Sequence, residues 1–159
     1  MMQLEPKWEF VSDTVMGGVS SGTVTKEITE GREATVLRGE VSLENNGGFI
    51  QMAFDLREDG SELDVSAWEG LEVAVWGNGD IYDIRLRTAQ LAKPWQSFRA
   101  DFVSEPKWRS VKVPFASLTA HRVDAAFDPS CLRRIGIVAI GHECEALVAV
   151  SSIGFYTST

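Results

Sequence analysis

The feature that most constrains this chain is its punctuation. Short runs rich in Val, Ile, Phe and Trp recur along it, each stopped by Gly, Asn, Asp or Pro. No window keeps apolar residues at i, i+3, i+4 and i+7 for long enough to build a sizeable helix. The runs predict strands at about 8–11, 22–28, 34–43, 49–54, 71–76, 82–87, 96–103, 109–114, 135–140 and 146–156. Two single-turn helices are expected, near 65–68 and 129–133. Ten strands are too many for one twisted sheet, so the expected fold is all-β: two stacked sheets in a sandwich, most simply a jelly roll. At 159 residues the chain suits a single domain spanning 1–159.

Alternation assigns the faces. Tyr82, Ile84 and Leu86 alternate with Asp83, Arg85 and Arg87, and Phe98, Ala100 and Phe102 alternate with Ser97, Arg99 and Asp101. A period of two gives each strand one core face and one wet face. Paired antiparallel, the two segments place Asp83, Arg85, Arg87, Arg99 and Asp101 on one face. Two readings follow. One is a solvated ladder of opposite charges, worth about 0.2–1 kcal/mol per cross-strand pair. The other is the polar floor of a concave binding face. Trp95, following Lys93 and Pro94 at the mouth of a strand, is the tryptophan expected to be exposed, where it could stack on a sugar ring or anchor a protein partner; Trp8, Trp68, Trp76 and Trp108 are expected to pack in the core or at sheet edges.

Charge excludes whole classes of partner. Against 15 Lys and Arg stand 23 Asp and Glu, a formal net charge of −8. That field repels a phosphate backbone, and no basic cluster is dense enough to overcome it, so nucleic acid is not an expected partner and neither is an anionic membrane surface. The longest apolar runs, such as 135–140, fall far short of the ~20 residues of a transmembrane helix. The first residues show no basic segment followed by an apolar one, and Cys131 and Cys144 are the only cysteines, so the expectation is a cytoplasmic chain with reduced thiols.

Two glycine-rich segments stand out. In 12–22, Gly17 and Gly18 sit between Asp13 and Ser20, with Met16 beside them. Asp13 and Ser20 can hydrogen-bond nearby backbone, which reads as a braced connection between strands. The segment has neither the Gly-Lys-Ser/Thr ending of a phosphate-binding loop nor the setting of a dinucleotide fingerprint. In 43–49, Asn45, Asn46, Gly47, Gly48 and Phe49 read as a hairpin turn, because Asn and Gly tolerate left-handed backbone; the same cluster at a loop tip would also suit recognition of a sugar or a backbone amide. Catalytic constellations are thin. His121 and His142 have no zinc-protease spacing, no Gly-x-Ser-x-Gly elbow occurs, and no spacing singles out a carboxylate pair. His142-Glu143-Cys144 offers a metal ligand or a nucleophile with a base, and His142 and Cys144 would share one side of a strand, but no catalytic or metal role is expected of them. No EF-hand-like acidic spacing appears. An enzyme is not expected, nor a cofactor.

These blocks, in this order, resemble the complex I intermediate-associated protein 30 family. The resemblance rests on Trp8 with the 11–20 segment, on 39–49, on Trp68-Glu69-Gly70-Leu71, on 82–87 and on 108–115, with a weaker block from Ile135 through Ile153 to Tyr156. It covers essentially the whole chain, and its first two blocks are the specific ones. It implies a galactose-binding-like jelly roll, related in shape to carbohydrate-binding modules, and a non-catalytic role. The best-known members help assemble respiratory complex I and carry an N-terminal extension that this chain lacks, so it resembles a bare bacterial relative. The resemblance implies a protein partner, a respiratory-complex subunit among the candidates, with carbohydrate as the alternative. It marks Asp13, Met16, Gly17, Gly18, Ser20, Asn45, Asn46, Gly47, Gly48 and Phe49 as distinctive; Asp83, Arg85, Arg87, Trp95 and Arg99 complete the candidate site.

Overall fold

A computed structural model describes residues 2–157, with the side chains of all of them except Val15, Met16 and Asn46. Among the described residues twelve strands are formed: β1 (Met2–Gln3), β2 (Glu9–Ser12), β3 (Ser21–Thr29), β4 (Arg32–Val41), β5 (Phe49–Asp55), β6 (Gly70–Gly77), β7 (Ile81–Thr88), β8 (Ser97–Val103), β9 (Arg109–Pro114), β10 (Thr119–His121), β11 (Leu132–Ile140) and β12 (Cys144–Tyr156). They build two six-stranded antiparallel sheets. The first has the order β3-β4-β12-β6-β9, with β1 added to β12; the second runs β10-β8-β7-β11-β5-β2. The fold is the two-sheet jelly-roll sandwich that the alternation predicts.

Every predicted strand is present, with ends shifted by a few residues. Two more, β1 and β10, are too short to show a period of two. The helix expected at 65–68 is instead a turn closed by the Trp68 amide on the Val65 carbonyl at 3.0 Å. The one near 129–133 is real but shorter, a 3₁₀ turn at Pro129–Cys131 whose N-cap Asp128 accepts a hydrogen bond from the Ser130 amide. Two 3₁₀ turns, Asp13–Met16 and Glu44–Asn46, occupy the glycine-rich segments.

The inward faces supply the core. Leu71, Val73 and Val75 of β6 and Val148, Val150, Ile153 and Phe155 of β12 meet Ile50, Met52 and Phe54 of β5, Ile84 and Leu86 of β7, and Ile135 and Ile137 of β11. Burying each such side chain contributes about 1.5–3 kcal/mol. Tyr82 brings a hydroxyl into this core. The Tyr82 hydroxyl accepts from the Leu147 amide at 2.9 Å and lies 2.8 Å from Asn78 Oδ1, to which it donates. Burial drives its pKa up to about 12. Tyr82→Phe would leave the Leu147 amide unpaired between the sheets. It should therefore cost about 1–3 kcal/mol in urea unfolding with an unchanged m-value.

The outer faces of the two sheets differ. On the first, Ala34, Val36 and Ala149 are buried beneath Trp76, Trp108 and Leu147. Trp108 is held across that face by its indole N–H on the Thr29 carbonyl at 3.0 Å, with the Arg32 guanidinium 5.1 Å from the ring centroid. Tryptophan thus roofs part of one sheet. The outer face of the second sheet carries Asp83, Arg85, Arg99 and Asp101.

Candidate functional site

The two glycine-rich segments converge on one carboxylate. Asp13 is fully buried. Its Oδ1 accepts the Ser20 amide at 3.0 Å, and its Oδ2 accepts the Ser20 hydroxyl, the Gly48 amide at 2.6 Å and the Phe49 amide at 3.3 Å. Ser20 Oγ in turn accepts the Ser42 amide at 2.8 Å. Burial pushes the Asp13 carboxyl up, but the hydrogen bonds from Ser20, Gly48 and Phe49 outweigh it and hold the group below its ordinary value. Gly18 and Gly47 press against this carboxylate, and a Cβ on Gly47 would lie 2.5 Å from Oδ2. Any side chain there would displace it.

The 43–49 segment is therefore no hairpin turn. β4 is paired on both edges, by β3 and β12, so it has no free edge for β5, and the chain crosses to the other sheet. The 12–22 segment makes the reverse crossing, from β2 to β3. Asp13 clasps the two crossings together. Of the family-distinctive residues, Asp13, Gly18, Ser20 and Gly48 are buried in the clasp. Gly17 and Asn45 are exposed on it in left-handed backbone, at φ 87° and 56°. Phe49 is half-buried. The side chains of Met16 and Asn46 lie outside the described residues.

The other candidates meet where alternation put them. Asp83, Arg85 and Arg87 of β7 and Arg99 and Asp101 of β8 share the outer face of the second sheet, but the register sets Asp83 opposite Asp101 and Arg85 opposite Arg99. This is no ladder of opposite charges. Like charges directly opposed destabilise a sheet. Relief comes along the strand, where Arg85 donates to Asp83 Oδ2 through Nη2 at 2.9 Å and Nε at 3.2 Å, and from Arg99, 4.0 Å from the same oxygen. Asp83 and Arg85 are consequently well sheltered, whereas the Arg99 side chain is 42% exposed. Asp83, Arg99 and Asp101, with Ser117 and Thr119, border an open depression of ≈ 520 Å³.

Register adds neighbours that spacing could not. β10 pairs with β8 and brings Thr119 opposite Arg99 and His121 opposite Ser97. Burial, then the charges of Arg85, Arg99 and Arg122, hold the His121 imidazole below its usual pKa, so it is neutral at neutral pH. β11 brings Gly136 opposite Arg85, with the Gln51 side chain lying across it. Arg134 bridges Glu9 at 3.0 Å and Asp55 at 2.9 Å. A mostly apolar run in 49–55 and in 132–140 hides the alternation that would place Gln51, Arg134 and Gly136 here.

Arg87 differs from its neighbours. Its Nη1 donates to the carbonyls of Lys93 and Pro94 at 3.0 Å each and to that of Gln96. It fastens the 89–96 loop, and on that loop Trp95 stands 56% exposed with Lys93 Nζ 6.0 Å from its ring centroid. β7 has eight residues and spans about 26 Å. Along that length the register puts Phe49 at one end of the face and the Trp95 loop at the other. A larger open cleft of ≈ 890 Å³ lies where residues 3–8 pass beside β3, β4 and β12, and holds none of the candidates.

Known structures share this architecture. The family 11 carbohydrate-binding module from Clostridium thermocellum, solved in complex with a beta-1,3-1,4-mixed-linked tetrasaccharide, superposes with a TM-score of 0.75 at 12% identity, covering 98% of this chain and 95% of that one. The family 30 carbohydrate-binding module of a Clostridium thermocellum cellulosomal cellulase gives 0.72 at 17% identity, covering 99% and 97%. None of the curated proteins matches the chain. The family model for complex I intermediate-associated protein 30 matches residues 2–147, a stretch that includes the Asp13 clasp and the charged face, and the chain belongs to that family.

Proposed function

We propose that the chain is a non-catalytic binding module that holds a protein partner, during assembly of a multisubunit respiratory complex, on the outer face of its second sheet. The observation that carries this reading is the opposition of Arg85 to Arg99 and of Asp83 to Asp101 in the middle of that face. Evolution for stability alone favours opposite charges at such positions. A surface that keeps like charges together gains when a partner supplies the complementary ones, which gives specificity and register to an encounter. Trp95 at one end adds an exposed anchor of the kind that dominates protein interfaces. The family name supports the assembly role.

Affinity capture with the full chain from respiring cells tests this. The wild type should retain a defined respiratory-complex subunit. Arg99→Glu combined with Arg85→Gln should weaken that retention by at least about a hundredfold, because reversed interface charges cost several kcal/mol. Retention unaffected by both substitutions rules the face out.

A second reading has its own support. The same sandwich serves the family 11 and family 30 carbohydrate-binding modules, and Trp95 beside polar side chains could stack on a sugar. In calorimetry with mixed-linked β-glucan oligosaccharides, heat that disappears on Trp95→Ala would favour carbohydrate. Among the described residues the middle of the face bears Gly136, Ala53, Gln51 and Val138 and no aromatic ring, which favours protein.

A further inference from the structure

Asp80, His142 and Cys144 lie outside the charged face and the clasp, and their donor atoms fall within 4.8 Å of one another. They come from two connections at one end of the sandwich. Asp80 closes the β6–β7 loop, His142 sits in the β11–β12 loop and Cys144 opens β12. From these three donors we propose a binding site for a divalent transition metal, with Zn²⁺ the best match.

The loops hold the donors in place. The Asp80 carbonyl accepts from both the amide and the hydroxyl of the buried Ser104, each at 2.9 Å. Asp80 Oδ1 accepts from the Ile81 amide at 2.8 Å, which leaves Oδ2 aimed at His142 Nε2, 3.3 Å away. Cys144 is fixed by strand pairing, its Cα opposite Val41. His142 is about half exposed, on a loop entered through Gly141 at φ 93°, so its ring can turn onto an ion without repacking the core.

Chemistry selects the ion. One thiolate, one imidazole and one carboxylate suit zinc, cobalt or nickel. Calcium requires six to eight oxygens, which this set does not offer. Bonds of about 2.0–2.3 Å place donors of a tetrahedral ion roughly 3.3–3.8 Å apart, so the cluster needs only a small contraction. Three protein ligands leave a fourth position for water or for a group on a partner. The Asp80 carboxylate, on an acidic chain, supplies negative charge for a cation, and binding displaces the Cys144 thiol proton.

The test uses the reduced full chain at neutral pH. Zn²⁺ titrated in competition with a chromophoric chelator should fill one site per chain with a Kd at or below about 1 μM. Co²⁺ should produce a thiolate-to-metal charge-transfer band. Loss of an outer-shell partner costs 10–100-fold in metal affinity, so Cys144→Ser and His142→Ala should each cost about a hundredfold or more and abolish or shift that band. Cys131→Ser should change neither readout. His142→Ala alters an exposed loop residue, so its fold is safe even if Asp80→Asn disturbs its turn. Stoichiometric binding that survives Cys144→Ser or His142→Ala, or that is lost on Cys131→Ser, overturns the site. So does the absence of binding at about 10 μM metal.

Discussion

Asp13→Ala is expected to lower the stability of this protein by about 4 kcal/mol. The carboxylate accepts from the amides of Ser20, Gly48 and Phe49 and from the Ser20 hydroxyl, and alanine leaves those donors stranded where the group is fully buried. Hydrogen bonds to a charged group contribute about 1.5–3 kcal/mol each, and a shared acceptor makes them less than additive. In a chain this long, 4 kcal/mol corresponds to a fall of about 8–16 °C in Tm, measurable by calorimetry. A fall under about 2 °C would mean that Asp13 does not fasten the two crossings. Asp13 also sets an acid response. Its pKa is lower in the folded chain than the ordinary 3.8, so the unfolded chain takes up the proton first as pH falls. The stabilisation is complete above the unfolded value and is lost as pH drops through the folded one. Asp13→Asn should remove that part of the pH dependence.

Gly47→Ala should destabilise by about 2–3 kcal/mol, a large cost for one methyl group. The new Cβ would sit 2.5 Å from Asp13 Oδ2 and 3.0 Å from the Glu44 carbonyl, and the carboxylate cannot yield while it holds its donors. Overpacking of this kind costs about 1–3 kcal/mol. The sharper expectation is coupling. In an Asp13→Ala background the methyl finds space, so the double variant should be more stable than the sum of the two losses predicts, by about 1–2 kcal/mol. Urea unfolding of the four proteins measures this. Strict additivity would separate the two motifs and end the account of a shared clasp.

The clasp also shows what several of the family-distinctive residues hold together. Asp13 and Gly48 are far apart in sequence, and each looks like loop chemistry. Once the chain has crossed between the sheets twice, they are acceptor and donor of one buried hydrogen bond. A sequence pattern records that such a contact matters without recording which way it faces. The charged face shows the opposite case. Asp83, Arg85, Arg99 and Asp101 were assigned to one surface by alternation, and they share it. What alternation left open was the register, and the register put like against like.

His121 and Gln51 were not legible at all. β10 has three residues, and β5 is apolar along most of its length. Arg87 was legible as a face residue, yet its guanidinium is spent on the carbonyls of the 89–96 loop and so positions Trp95.

Local pattern determined the all-β class, the ten longer strands and the inward sides of β7 and β8, because strand periodicity and turn chemistry depend on near neighbours along the chain. Tertiary structure alone decided which strands became neighbours, that two loops share one carboxylate, that tryptophans roof the first sheet, and that Asp80 meets His142 and Cys144. Those outcomes depend on hydrogen-bonding edges left free or already paired, and edge pairing brings together residues that no local spacing connects.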